Sequence, residues 1–200
     1  MTQNKRIVIT GGIATGKSTA SALLREAGYP VIDADVIARG LLDPEEAAYR
    51  EVVDTFGQNI VQSDGSIDRK KLGAIVFSDA KQRERLNRIT HPRVAERIDE
   101  ELTALQDEPL VFLDIPLYYE TEGLPSFPVW LIYIPEDCQL ARLMKRDGLS
   151  EEQARARMAS QMGIEEKRKR AQRIVDNSKD IGALARALQQ AVKEERADGE

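Results

Sequence analysis

The stretch Ile7-Val8-Ile9-Thr10-Gly11-Gly12-Ile13-Ala14-Thr15-Gly16-Lys17-Ser18-Thr19 decides the reading of this chain. A β-branched run leads into a loop of the form GxxxxGK[ST]. Ala20, Leu23, Leu24 and Ala27 then recur at helical spacing until Gly28 and Pro30 stop the helix. Each residue type answers one demand of a polyphosphate. Glycines at 11, 12 and 16 let the backbone curl until successive N–H groups point inward at an anion. Lys17 adds a mobile cation, Ser18 offers a hydroxyl to Mg²⁺, and the helix opening at Gly16 presents its positive end to the same charge. The stretch Gly11 to Thr19 is therefore expected to bind a nucleotide through its phosphates.

Working outward, four further strands are expected. Tyr29-Pro30-Val31-Ile32 ends at Asp33, Leu110-Val111-Phe112-Leu113 ends at Asp114, Val129 to Ile134 forms another, and Arg173-Ile174-Val175 runs into Asp176-Asn177-Ser178. Short buried-looking strands alternating with helices predict an α/β fold with a doubly wound parallel sheet of about five strands. The alternation fails between the second and third strands, where a helical inserted subdomain is expected. It carries a helix from about Pro44 to Phe56, a turn at Asp64-Gly65, a helix near Arg69 to Phe77, and a long charged helix interrupted near His91-Pro92. Trp130 reads as core.

Two hundred residues suffice for one α/β core with such an insertion and are too few for two ordinary domains. The boundaries are a core of about 1–34, 107–138 and 171–200, an insertion of about 35–106, and a helical lid of about 139–170. A net charge of −5 leaves no overall basic footprint, so neither nucleic acid nor a membrane is an expected partner and any cationic site must be local. The single cysteine, Cys138, permits no intrachain disulfide and no multi-cysteine metal site. Residues Met1 to Arg6 run straight into the first strand without room for a removable signal, and no apolar stretch approaches a membrane span. A cytoplasmic protein is expected, working as a monomer or weak homo-oligomer.

In parallel sheets the ligand crevice lies beyond the carboxyl ends of the strands, which makes Asp33 a candidate base for orienting an attacking hydroxyl. Asp35 reads equally as a second acidic group or as the cap of a helix beginning at Val36. Asp114 ends its strand as a Walker-B acid does and, with Ser18, is a candidate ligand for Mg²⁺. Ile115-Pro116-Leu117-Tyr118-Tyr119-Glu120 follows it, as an acceptor wall or as ordinary core. The segment from Gln139 to Arg173 is locally basic and suits a closing lid whose arginines neutralise charge on a transferred group. Arg142 and Arg146, four apart on one face, are the expected pair, whereas Lys167 to Arg170 read as a solvated charged face. His91, the only histidine, precedes a proline and is expected to fix a turn or touch substrate.

Taken together, the phosphate loop, Asp33-Ala34-Asp35-Val36-Ile37-Ala38-Arg39, Ile67-Asp68-Arg69, Ile89-Thr90-His91-Pro92, Ile115-Pro116-Leu117, Gln139 to Asp147 and Ile174-Val175-Asp176-Asn177-Ser178 resemble the dephospho-CoA kinase family from about residue 6 to 190. The resemblance implies transfer of the γ-phosphate of ATP, with Mg²⁺, to the ribose 3′-hydroxyl of dephospho-CoA. It implies Asp33 and Lys17 as catalytic groups, aided by Arg142 and Arg146. It further implies acceptor contacts from Asp35, Arg39, His91, Pro116 and Leu117, and adenine contact from Asn177. Ala14-Thr15 stands where the family often reads Gly-Ser, and Tyr118-Tyr119 where it often reads Leu-Phe. A nucleoside or nucleotide kinase with another acceptor is the nearest alternative. A guanine-nucleotide switch is disfavoured because no Asn-Lys-x-Asp motif occurs.

Overall fold

The computed structural model describes residues 4–121 and 123–197. Along the chain, β1 (Lys5–Gly11) leads to α1 (Lys17–Glu26) and β2 (Val31–Asp33), and α2 (Ala34–Gly40), α3 (Ala47–Phe56), α4 (Arg69–Ser78) and α5 (Ala80–Ala104) follow. Next come β3 (Leu110–Asp114), β4 (Val129–Tyr133), α6 (Glu136–Asp147), α7 (Glu151–Ala159), α8 (Ile164–Arg170), β5 (Arg173–Asp176) and α9 (Ile181–Ala197). The chain divides into two compact units. One comprises the chain up to Ile32 and from Leu105 onward; the other is Asp33–Ala104.

The first unit is built on a five-stranded parallel sheet of order β2-β3-β1-β4-β5. β3 and β4, and the Ile7-Val8-Ile9 centre of β1, are apolar because both of their faces are covered. On one face Ile7, Ile9, Phe112, Trp130 and Ile132 pack with Leu24 of α1 and Leu184 and Leu188 of α9. Trp130 is core, as its sequence context predicts: it is 1% exposed, with its ring 5.3 Å from that of Phe112. Removing so large a buried ring costs about 3–5 kcal/mol. The register sets Ile9 opposite Asp114 and Gly11 opposite Ile132, so the phosphate loop and Asp114 leave the sheet at the same, carboxyl-terminal edge.

The second unit is helical, and after Asp33, the last residue of β2, its described residues contain no strand, only an isolated bridge between Val61 and Ile67 beside the Asp64-Gly65 turn. Helix α3 begins at Ala47 rather than at Pro44. The first helix begins at Ala34, and its cap is Asp33 rather than Asp35: Asp33 Oδ1 accepts the N–H groups of Asp35 and Val36 at 3.0 and 3.1 Å. An aspartate directly after a strand has extended backbone and a short side chain, which suits it to satisfy the orphan amides of the next helix.

Helix α5 corrects a second expectation, since it runs unbroken through Pro92. A proline inside a helix removes one N–H and crowds the carbonyl of the preceding turn, at about 3 kcal/mol or more. Two features offset that cost. Ile89, Thr90, Val94 and Ile98 bury one face of the helix across the proline, and the Arg93 guanidinium donates to Ile89 O at 2.6 Å. The packed face holds together what local propensity would break.

His91 thus sits inside a continuous helix, half-buried, and desolvation holds its imidazole below the ordinary histidine value. A group with a depressed folded-state value binds fewer protons folded than unfolded, so stability rises with pH across that window. We expect the insertion to keep this contribution above about pH 6.5 and lose it as pH falls through the lower folded value. The sole imidazole resonance should titrate below that of a free peptide, and His91→Gln should flatten the stability profile there. A titration at or above the free value would refute this.

Candidate active site

The loop between β1 and α1 is a tight turn held from several sides. Thr15 N–H donates to Gly12 O at 3.2 Å and Thr15 Oγ1 to the same carbonyl at 2.9 Å. Ala14 takes φ 60°, the one positive φ outside glycine among the described residues, at a turn position that favours glycine. Gly16 follows at φ 89° and is the N-cap of α1. A Cβ on Gly16 would collide with the Asn177 amide, and one on Gly12 would lie 2.5 Å from Gln139 Nε2. Gly16 is therefore required by backbone shape as well as by a neighbour, whereas Gly12 is constrained by its neighbour alone.

Those neighbours come from the far half of the chain. Gln139 of α6, 4% exposed, donates from Nε2 to Ile13 O at 2.7 Å, while Gln161 Oε1 accepts the Ile13 N–H at 2.9 Å. Asn177, just beyond β5, donates to Thr15 O at 2.7 Å. The backbone of the loop's first half is thus held by side-chain amides, while Gly16 and the start of α1 supply N–H groups for an anion.

Beneath the loop, Asp114 at the end of β3 is 3% exposed and joins two residues of α1. It pairs with Lys17 Nζ through Oδ1 and accepts from Ser21 Oγ through Oδ2 at 2.6 Å. Lys17 and Ser21 are four apart, so they share one helix face, and the strand end is where that face meets the sheet. Ser21 was not legible as a site residue, because only the register of β1 and β3 brings it to the acid. Ser18 faces solvent with its hydroxyl accessible. Carboxylates and hydroxyls are the hard-oxygen donor types that Mg²⁺ takes beside substrate phosphates. Among the described residues no cluster of three His, Cys, Asp or Glu could hold a metal by itself.

The segment expected as a lid forms α6, α7 and α8. It has a small core of its own, Leu140, Leu143 and Ala154, against which Ile13 and Ala14 of the loop pack. Arg142 donates to Asn177 O at 2.8 Å, which places it by the loop's anchor. Arg146 is exposed and held by Asp147 at 2.8 and 3.1 Å, and Arg157 joins the same carboxylate at 2.7 Å. These guanidinium bonds hold the Asp147 carboxyl below its ordinary range. Arg168, Lys169 and Arg170 pair with Glu165 or Glu166 on an exposed face, as expected. Lys167 does not. It is fully buried, so the reading of this residue as a solvated charge is corrected. The overlooked signal is its register with Ile164, three residues earlier on the same buried face.

After Asp114 the chain is pinned by Thr10 Oγ1 donating to Pro116 O at 3.0 Å, and Leu117 is 40% exposed. Tyr118 is structural: its hydroxyl donates to Pro125 O at 2.9 Å and accepts the Phe127 N–H at 3.2 Å. The Tyr119 hydroxyl is buried without a hydrogen-bond partner, and burial pushes its phenol up. In the helical unit, Asp35 and Arg39 lie on one face of α2 and line a cavity of about 360 Å³ with Arg69, Leu72, Val76 and Thr90. His91 is not among its lining residues.

Comparison with known proteins agrees with this architecture. The family model described as CoaE, dephospho-CoA kinase, matches residues 6–182. A dephospho-CoA kinase of Geobacillus kaustophilus is 49% identical over 176 residues, covering 86% of this chain and 87% of the relative. The solved structure of dephospho-CoA kinase from Campylobacter jejuni superposes with a TM-score of 0.75 at 32% identity, covering 98% of both chains. A shikimate kinase from Bacteroides thetaiotaomicron shares the fold at a TM-score of 0.50 and 16% identity, over 95% of this chain and 97% of its own.

The positive φ of Ala14 yields a stability prediction. A left-handed non-glycine residue costs about 1–2 kcal/mol, partly regained by the lower unfolded-state entropy of alanine. Ala14→Gly should therefore leave the chain as stable or raise stability by about 0.5–1 kcal/mol in denaturant unfolding. A clear loss of stability would show that the turn carries no strain.

Proposed function

The chain belongs to the dephospho-CoA kinase family and is a kinase that uses ATP, and from that premise we propose that it transfers the γ-phosphate of ATP to the ribose 3′-hydroxyl of dephospho-CoA, giving CoA and ADP. The observation that carries the phosphate half of this reading is the loop at the carboxyl end of β1, with Lys17 poised on Asp114 at its base. Gly11 to Thr19 cradle the phosphates. Lys17 exchanges its ion pair with Asp114 for the β- and γ-phosphates, an exchange of one anion for another that leaves the ammonium paired throughout. Ser18, Asp114 and the nucleotide would hold Mg²⁺, which would neutralise phosphate charge.

Asp33 orients the acceptor hydroxyl and takes its proton as the new bond to phosphorus forms, ADP leaving as the other breaks. Two facts support the assignment: Asp33 is the last residue of β2, and parallel sheets present catalytic groups at their carboxyl ends. Asp35 and Arg39 contact the rest of the acceptor, as their shared cavity in the helical unit suggests, and the family resemblance adds His91, Pro116 and Leu117 as further contacts. Asn177 both anchors the loop and borders the adenine. Of the lid arginines, Arg142 is the better candidate for the transferred group, because the Arg146 guanidinium is already held by the adjacent carboxylate. Among the described residues no helix is long and apolar enough to cross a membrane.

Screening acceptors with labelled ATP tests the substrate. Dephospho-CoA should outpace AMP, CMP and nucleosides, and a faster nucleotide acceptor would reassign the chain to another kinase activity. Asp33→Asn should keep ATP affinity while kcat falls by about 10²-fold or more, whereas Lys17→Ala should damage both. Full turnover by the Asp33 variant would transfer the base role to another group. Arg142→Ala should lower kcat by about 10²-fold and Arg146→Ala by much less; equal losses would contradict the ranking of the two arginines.

A further inference from the structure

Lys167 is a fully buried lysine to which the reaction described above gives no role. Its ammonium lies 2.8 Å from Glu120 Oε1 and 3.2 Å from the carbonyl oxygen of Gly11, the residue where β1 becomes the phosphate loop. Glu120 Oε1 also accepts the Met162 N–H at 2.9 Å, and Gln161, one residue earlier, holds the Ile13 N–H. A short stretch at the end of the lid segment therefore grips the loop on both sides of Gly12.

Energy alone does not explain this lysine. Removing an ammonium from water costs several kcal/mol, and the attraction to Glu120 is partly screened because that side chain keeps 21% of its surface exposed. What the pair does is geometric. In a trans peptide the N–H points opposite to the carbonyl, so a cation holding the Gly11 carbonyl also fixes the direction of the Gly12 N–H. A carbonyl turned toward the cradle would repel phosphate; one tied to an ammonium cannot turn. We propose that Lys167 is a positioning residue for the nucleotide: it holds the Gly11–Gly12 peptide in the orientation that accepts phosphate, with Glu120 as the counter-ion that makes its burial possible. This rests on the loop as the ATP site and is independent of which acceptor is phosphorylated.

The test compares the full chain with Lys167→Met and with the double variant Lys167→Met/Glu120→Leu. The single variant leaves Glu120, whose side chain is 21% exposed, without its cation, whereas the double variant removes both charges together. Thermal unfolding, the Kd for ATP with Mg²⁺, and the KM for each substrate are measured. The double variant should keep a Tm near that of the parent chain and weaken ATP binding by about tenfold, the usual worth of a lost charge-assisted hydrogen bond. Its KM for dephospho-CoA should change by less than about twofold. Parental ATP affinity in the double variant, or loss of its fold, would make the pair merely structural and overturn the proposal. Because ATP binding is measured without acceptor, a negative result leaves the acceptor assignment untouched.

Discussion

The contact on which the rest of the first unit depends is the one between Lys17 and Asp114. It joins the first turn of α1 to the end of β3, and Ser21 makes the same junction a second time. A carboxylate this deeply buried needs partners, because an unpaired one would cost several kcal/mol. The partners available are the lysine that the loop must present to phosphate and a serine one turn further along. Sheet register and loop shape are thereby tied together, since shifting β3 by one residue would turn Asp114 to the opposite face of the sheet.

A second constraint is the dependence of the loop on residues far along the chain. Gln139, Gln161, Lys167 and Asn177 come from α6, the α7–α8 link, α8 and the end of β5, and each satisfies a backbone group between Gly11 and Thr15. These bonds satisfy backbone groups of the loop without any ligand. The loop is also tied to the small core of α6 and α7, against which Ile13 and Ala14 pack. Preorganisation of this sort keeps binding energy available for the transition state instead of for ordering the loop.

Much of this was legible in the residues. The β-branched runs locate the five strands within a residue or two, because strands buried on both faces have little other composition open to them. The phosphate loop is a local motif whose shape is set by its own glycines, and the order of its residues suffices to find it. The helical character of 34–104 was also readable, as was the exposed pairing of residues 168–170 with Glu165 and Glu166. The errors fall where local preference met a packed surface. Pro92 signals a break, yet α5 continues because its buried face spans the proline; Asp35 has the composition of a cap, yet Asp33 occupies the extended position that caps.

The amino-acid sequence by itself determined the class of fold, the nucleotide loop and the identity of the acids ending β2 and β3, because these follow from periodicity and from short-range backbone requirements. Tertiary structure alone decided which acid meets Lys17, that Ser21 joins them, and that one lysine in a run of cations is fully buried beneath the loop. The physical reason is separation along the chain. Pairs such as Lys17 with Asp114 and Gly11 with Lys167 are brought together by sheet register and helix packing, which no local pattern of residues encodes.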